Sequence, residues 1–93
     1  MITAIVLVDT DTDRISEAAA AIADLPDVTE VYSVTGDVDL VAVVRAQRHE
    51  DLAGVIADRI SKVPGVARTR THIAFRTYSR PDLEQAFDLG LEG

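Results

Sequence analysis

The residues best suited to metal binding or catalysis are few in this chain. It contains two histidines, His49 and His72, and no cysteine. Neither histidine stands in an H-x-x-H or H-E-x-x-H spacing or among carboxylates at ligand spacing, so no metal site is predicted. The lack of cysteine excludes disulfides and thiolate catalysis. No serine lies in a nucleophile elbow and no glycine-rich loop is built to hold a phosphate, so we expect neither a cofactor nor an enzyme.

Three alternating aspartates, Asp9, Asp11 and Asp13, look like the start of a calcium-binding loop. Such a loop needs a glycine and a distal glutamate, but Arg14 and Ala20 stand at those positions. A loop that caps a helix is the better interpretation, with Asp11, Thr12 or Asp13 accepting from the first free amides of that helix.

The segment from Thr35 to Asp39 (TGDVD) predicts a tight turn before an apolar strand. Gly36 supplies the positive φ that the turn needs, and Asp37 completes it. Asp39 is not explained by the turn alone. A carboxylate at the head of an apolar strand is costly unless it accepts from backbone amides or meets a cationic ligand group, and both alternatives remain open.

A basic row is expected on one strand near the carboxyl end. Alternation places His72 on the same face as Arg68, Arg70 and Arg76, with Thr69, Thr71, Ile73 and Phe75 on the other. The row is either a solvated edge face whose charges discourage strand pairing or part of an oligomer interface or anion pocket. The sequence does not separate these two interpretations.

Composition limits the partners of this chain. Its 93 residues predict one domain over 1–93, and with 47% hydrophobic but only 4% aromatic residues the core must be aliphatic. The formal net charge of -7 opposes direct nucleic-acid binding, which needs clustered Lys and Arg. The apolar run near the N-terminus ends after about seven residues, too short for a signal core or a membrane span. We therefore expect a cytoplasmic protein without a membrane partner.

The chain repeats itself at a shift of 38 residues. IADLPDV (22–28) matches ISKVPGV (60–66), and each joins a helix end, a proline turn and a strand start. The unit is strand, helix, strand, present twice. The sequence therefore predicts an α+β, ferredoxin-like βαββαβ fold.

The periodicity gives approximate bounds for each element. Strands are expected at 2–8, 28–35, 40–44 and 67–78, and helices over 15–25 and 52–63. A short C-terminal helix is expected to begin near Ser79 and Pro81, with Leu83, Phe87 and Leu91 on one side.

The two central strands are apolar on both faces. Thr3 is the only polar residue from Ile2 to Val8, and residues 40–44 have none. Right-handed crossovers place both helices on the same face of the sheet, which leaves the other face bare. We expect a second copy to cover it in a homodimer with its sheets packed face to face. The alternative is that the chain's own C-terminal segment covers it.

Three segments together resemble one family. They are VTGDVDLVAVV (34–44), VPGV (63–66) and TRTHIAF (69–75). Their order and spacing resemble the effector-binding RAM domain (regulation of amino acid metabolism) of the Lrp/AsnC transcriptional regulators, over essentially the whole chain.

The resemblance implies a ferredoxin-like fold, sheet-to-sheet dimers that build ring-like oligomers, and an amino-acid effector bound where dimers meet. It implies that the ligand contacts come from Gly36, Asp37, Asp39, Thr69, Thr71, His72 and Ile73. His49, at the start of the second helix, is a weaker candidate. An aspartate such as Asp39 and the turn amides would suit the ammonium and carboxylate ends of the effector.

Typical members carry an N-terminal helix-turn-helix domain, whereas this sequence begins directly in the first strand. The resemblance is therefore to a stand-alone member that does not itself read DNA. Such a chain would sense an amino acid on its own or join full-length regulators in mixed assemblies. Two other classes remain open, namely a cofactor-free dimeric enzyme of the same fold and a purely structural assembly module.

Overall fold

The strand, helix, strand unit occurs twice in the computed structural model, which describes residues 1–80. The first half contains β1 (Ile2–Thr10), a 3-10 turn (Thr12–Arg14), α1 (Ile15–Ala23) and β2 (Val28–Ser33). The second contains β3 (Leu40–Ala46), α2 (His49–Ala53), a π-helical segment (Gly54–Arg59), a 3-10 turn (Ile60–Lys62) and β4 (Val66–Ile73).

The four strands form one antiparallel sheet in the order β2-β3-β1-β4. Each helical connection leaves one central strand and returns to an edge, so the two apolar strands lie in the middle. This is the predicted α+β ferredoxin-like fold.

Every second residue of the central strands faces the helices and is buried. The side chains with no exposed surface in this layer are small or aliphatic: Ala4, Val6, Val8, Leu40, Ala42, Val44, Ala18, Ile22 and Ile60. Each Val or Leu contributes about 1.5–3 kcal/mol when fully buried. The aliphatic core expected from the composition is therefore observed, and it joins the sheet directly to both helical segments.

The predicted repeat is visible in the turns that follow the two helical segments. Asp27 and Gly65 stand 38 residues apart, and both have a positive φ, of 69° and 97°. In each turn the first amide of the next strand donates to a carbonyl three residues back, Val28 to Leu25 and Val66 to Val63. The same type of turn therefore reverses the chain in both halves.

The repeat also relates the two central strands. A shift of 38 residues exchanges Ile5 with Val43, and these two residues are opposite partners in the β1–β3 ladder. Their neighbours exchange in the same way, because Ala4 pairs with Val44 and Val6 with Ala42. A local half-turn axis therefore passes through the Ile5–Val43 pair.

The face of the sheet away from the helices is apolar at its centre, as predicted. Ile5 is 39% exposed and Tyr32 is 49% exposed, and Leu7, Val41 and Val43 lie between them only partly buried. We call these five side chains the open face. In the described part of the chain, both helical segments pack on the opposite side.

The prediction for β4 was too long at its carboxyl end. The strand ends at Ile73 rather than at residue 78. Its partner β1 supplies the reason, since Ile73 already lies opposite Ala4 and the Ala74 amide donates to Thr3. Almost no β1 remains beyond that point, so the ladder stops and Phe75 is 97% exposed.

The predicted helices needed two further corrections. No side chain of Asp11 or Asp13 caps α1; a 3-10 turn precedes it, closed by the Arg14 amide donating to the Asp11 carbonyl. The second helix is not uniform, because the π-helical segment interrupts it. The expected C-terminal helix lies outside the described residues. No helix within residues 1–80 has the length and apolar character needed to cross a lipid bilayer.

Candidate functional site

A groove lies between the second helical segment and β4. Its volume is about 320 Å³, near the lower end of the range for small-molecule sites. We call it the α2–β4 groove, and it is lined by His49, Leu52, Ala53, Ile56, Ala57, Thr71 and Ile73. Two strand residues and five helical residues therefore form a mainly apolar wall.

The helical side of the groove owes its shape to the π-helical segment. Gly54–Arg59 follows directly on α2, and Ile56 and Ala57 belong to it. A π-helical turn widens the helix by one residue and is rare, and such turns occur frequently at functional sites. The short side chains of Ala53 and Ala57 leave space along the surface that faces β4.

The strand side of the groove follows from alternation along β4. Thr71 and Ile73 point toward the helices and line the groove, and Ile73 is still 42% exposed. Thr69, two residues earlier, is on the same face and half-buried. His72 points the other way, and it lies opposite Ile5 on the side of the open face.

The turn between β2 and β3 has the predicted tight geometry. Gly36 has a φ of 111°, which favours glycine strongly. The turn is closed by the Val34 amide, which donates to the Asp39 carbonyl over 3.0 Å. Gly36 and Asp37 are exposed, and their amides donate to no acceptor within the described residues. Two amides are therefore free to bind an anionic group.

Asp39 accepts from a backbone amide, which is one of the two alternatives left open by the sequence. Its Oδ2 accepts from the Thr10 amide over 2.8 Å and from the Thr10 hydroxyl over 3.3 Å. Its own amide donates to the Val8 carbonyl. Asp39 therefore ties the start of β3 to the end of β1, which accounts for a half-buried carboxylate at that position.

The basic row on β4 is partly neutralised within the chain. Arg68 pairs with Asp9 at 3.0 Å, and Arg70 approaches the exposed Asp37 at 3.7 Å. Pairs this exposed contribute at most about 1 kcal/mol. Arg68 and Arg70 thus lie at the edge of the open face, and each has an acidic partner among the described residues.

The open face also holds one perturbed ionisable group. The Tyr32 hydroxyl donates to the Glu30 carboxylate, and this hydrogen bond is the main reason that the pKa of Tyr32 is raised above 10.0. Partial desolvation and the Glu30 charge act in the same direction, while Arg45 opposes them.

The residues predicted from the sequence fall in different parts of the structure. Thr71, Ile73 and the weaker candidate His49 come together in the α2–β4 groove. Gly36, Asp37 and Asp39 lie at the other end of the sheet, because Asp39 bonds Val8 whereas Ile73 lies opposite Ala4. Along the strands, Asp39 is two residues from the level of Thr71 and four from that of Ile73, roughly 7 and 13 Å at about 3.3 Å per residue. Thr69 lies opposite Val8, at the level of Asp39.

The helical wall of the groove was not predicted from the sequence. Leu52 and Ile56 fell within the helix expected over 52–63 without a site role, and the exposed pair Ala53 and Ala57 was not singled out. The available signal was the spacing of those two alanines, which repeat four residues apart on a helix. The π-helical segment itself has no such signal.

Comparison with known proteins places this geometry in a family context. Residues 3–83 match the family model described as the Lrp/AsnC ligand binding domain. A curated relative, the HTH-type transcriptional regulator FL11 of Pyrococcus horikoshii, is 37% identical over 75 residues, which cover 81% of this chain and 49% of the relative. The chain spans about half the length of the curated relatives it matches.

Two solved structures have the same fold. TTHA0845 from Thermus thermophilus is 50% identical with a TM-score of 0.81, and the match covers 86% of this chain and 100% of that one. The feast or famine regulatory protein Rv3291c from M. tuberculosis, complexed with L-methionine, is 29% identical with a TM-score of 0.71. That match covers 86% of this chain and 54% of the other.

Proposed function

The chain belongs to the family of Lrp/AsnC ligand binding domains, and on that premise we propose that it binds a free amino acid where two copies meet. Binding then shifts the association of its dimers into larger rings, alone or with full-length Lrp/AsnC regulators, and so modulates transcription in the cytoplasm. The chain acts through ligand and protein contacts and catalyses no reaction.

The observation that carries the proposal is the separation of the predicted ligand residues. The α2–β4 groove takes its strand residues from β4, while the exposed Gly36 and Asp37 amides precede β3, two strands away in the sheet or roughly 10 Å at about 4.8 Å per strand. An amino acid is too short to contact both within one chain. A site that uses both therefore takes its groove from one copy and its turn from another.

The two ends of an amino acid suit the turn. Its carboxylate would accept from the Gly36 and Asp37 amides, and its ammonium would approach the Asp37 carboxylate, which is 90% exposed. Asp39 supports the turn from behind, because its Oδ2 already accepts from Thr10. The relative from M. tuberculosis, complexed with L-methionine, supports an amino acid as the ligand class.

The open face supports the association step. A contiguous apolar surface on a sheet is typical of an interface between copies. Ile5, Leu7, Val41 and Val43 form its centre, and the charges of Arg70 and Glu30 stand at its two sides. A second sheet packed on this face would bury the centre and leave the charged edges at the rim.

Thermal denaturation with each standard L-amino acid tests ligand binding. A ligand at a hundredfold excess over its dissociation constant raises the free energy of unfolding by about 2.7 kcal/mol. Asp37→Ala should weaken the binding roughly tenfold, because a charged contact is lost. Asp58→Ala removes another exposed carboxylate, outside the turn, and is the matched control. If no amino acid moves the midpoint, ligand binding is rejected.

Light scattering after size-exclusion chromatography tests the association. The wild-type chain should elute as a dimer or larger at micromolar concentration. Val43→Asp places a charge at the centre of the open face and should yield a folded monomer, whereas Ala21→Asp on the exposed side of α1 should not. A monomeric wild-type chain would contradict the proposed interface.

A further inference from the structure

The chemistry of the α2–β4 groove indicates which amino acids this chain prefers. We infer that the groove takes the side chain of the effector and selects an uncharged, aliphatic or thioether one. This inference rests on the proposed function, since it concerns the same ligand, and it adds the class of side chain.

The lining of the groove is apolar along its length. Five of its seven lining residues are apolar, namely Leu52, which is 2% exposed, and Ala53, Ile56, Ala57 and Ile73. The polar lining residues are His49 and Thr71, and none of the seven is a carboxylate, a lysine or an arginine. A charged effector side chain placed there would lose water without gaining a partner of opposite fixed charge.

The size of the groove agrees with a small side chain. Its volume of about 320 Å³ corresponds to roughly ten water molecules at about 30 Å³ each. That space accommodates an unbranched or once-branched aliphatic chain together with part of the ligand backbone. The polar ends of the ligand then remain at the mouth, where the turn of a second copy supplies exposed amides.

The alternative for this groove is an acidic effector whose carboxylate accepts from His49. His49 is the first residue of α2 and stands at one end of the lining, beside the acidic Glu50 and Asp51. Arg48 pairs with both, at 3.7 Å from Glu50 and 3.5 Å from Asp51, so one arginine and two carboxylates keep a net charge of -1 beside His49. That net charge disfavours a further negative charge nearby. The structure therefore favours the uncharged side chain, and L-glutamate serves as the test of the alternative.

Two matched pairs of ligands test the inference by isothermal titration calorimetry. L-norleucine and L-lysine share the same four-carbon side chain, to which L-lysine adds an ammonium group. L-methionine has a thiomethyl group where L-glutamate has a carboxylate. We expect L-norleucine and L-methionine to bind roughly tenfold or more tightly than their charged counterparts. Equal or tighter binding of L-lysine or L-glutamate overturns the inference.

A pair of variants locates the selectivity in the groove. Ala57→Asp places a carboxylate on the exposed helical wall and should weaken L-norleucine binding at least roughly tenfold. The ratio of the L-norleucine affinity to the L-lysine affinity should fall as well. Ala20→Asp makes the same change on the exposed side of α1 and should leave both affinities unchanged. An unaltered norleucine affinity in a folded Ala57→Asp protein overturns the placement.

Different results would contradict the proposed function and the inferred side-chain preference. If no amino acid binds the wild-type chain, the proposed function fails and the inference fails with it. If amino acids bind but the charged members of the pairs bind as well as the apolar ones, only the inference fails.

Discussion

Asp39 and Thr10 are joined by a hydrogen bond from the Thr10 amide to the Asp39 Oδ2, with 2.8 Å between the two atoms. The two residues lie 29 positions apart in the sequence, at the end of β1 and just before β3. The bond fixes how the turn between β2 and β3 is held against the sheet. It separates the structural role of Asp39 from the proposed ligand contacts of Asp37.

Removing the Asp39 carboxylate should therefore lower stability. Asp39→Ala leaves the half-buried Thr10 amide without its acceptor, and we expect the free energy of unfolding to fall by about 1–3 kcal/mol. Urea denaturation measures the change. Asp37→Ala, which removes an exposed carboxylate two residues away, should change stability by less than about 0.5 kcal/mol. Equal losses in both variants would contradict the role given to Asp39.

The two positive-φ glycines should differ in their tolerance of alanine. Gly36 has open space around it, so Gly36→Ala meets only backbone strain, of about 1–2 kcal/mol. A Cβ at Gly65 would stand 2.7 Å from the Cβ of Arg14, and that atom cannot swing aside. Gly65→Ala should thus cost at least about 1 kcal/mol more.

Thermal denaturation of both variants measures this difference, and a third variant explains it. Adding Arg14→Gly to Gly65→Ala removes the blocking Cβ and should restore the steric part of the loss. If the double variant is no more stable than Gly65→Ala alone, the contact with Arg14 is not the cause.

The Tyr32–Glu30 hydrogen bond predicts a pH dependence. Ionisation of the Tyr32 hydroxyl breaks this hydrogen bond, so the folded-state pKa of Tyr32 lies above its ordinary value of 10.0. The resulting contribution to stability is fully present below pH 10 and is lost as the pH rises through the folded-state pKa. The chain has two tyrosines, so Tyr78→Phe leaves Tyr32 as the one phenol to titrate.

Phenolate absorbance measured against pH in the Tyr78→Phe background gives the midpoint for Tyr32. We expect a midpoint above 10.0, and Glu30→Gln should lower it because the negative acceptor is gone. A midpoint that does not respond to Glu30→Gln would show that the carboxylate is not the main cause.

Gly54 offers a route to a more stable protein. Its φ of -62° and ψ of -46° are helical, and a Cβ there would meet no atom within 4 Å. Gly54→Ala should therefore raise the free energy of unfolding by about 0.4–1 kcal/mol, since it restricts the unfolded chain. Chemical denaturation checks the gain, and a loss of stability would mean that the π-helical segment requires glycine.

Local pattern was enough to predict most of the fold. Short stretches of sequence indicated the repeated strand, helix, strand unit, the apolar runs of β1 and β3 and the turn at Gly36. Each of these features lies where it was expected in the structure. The apolar face that the described helical segments leave uncovered followed from the same runs together with the handedness of the crossovers.

What escaped prediction depends on contacts between distant residues. β4 stops at Ile73 because β1 begins at Ile2, a boundary set by its partner and not by the composition of residues 74–78. The acceptor role of Asp39 depends on Thr10 in another strand. Part of the helical wall of the groove lies in a π-helical segment whose apolar spacing is that of an ordinary helix, so the sequence did not predict the groove.

The half-turn axis through Ile5 and Val43 has a consequence for how a second sheet is oriented. Rotation about this axis exchanges Glu30, which lies opposite Val43, with His72, which lies opposite Ile5. The aliphatic centre of the open face looks nearly alike after this rotation, so it gives a covering copy no preferred direction. The preferred orientation is therefore decided at the two sides of the open face. In one orientation His72 of each copy faces Glu30 of the other, and in the opposite orientation His72 faces His72 and Glu30 faces Glu30.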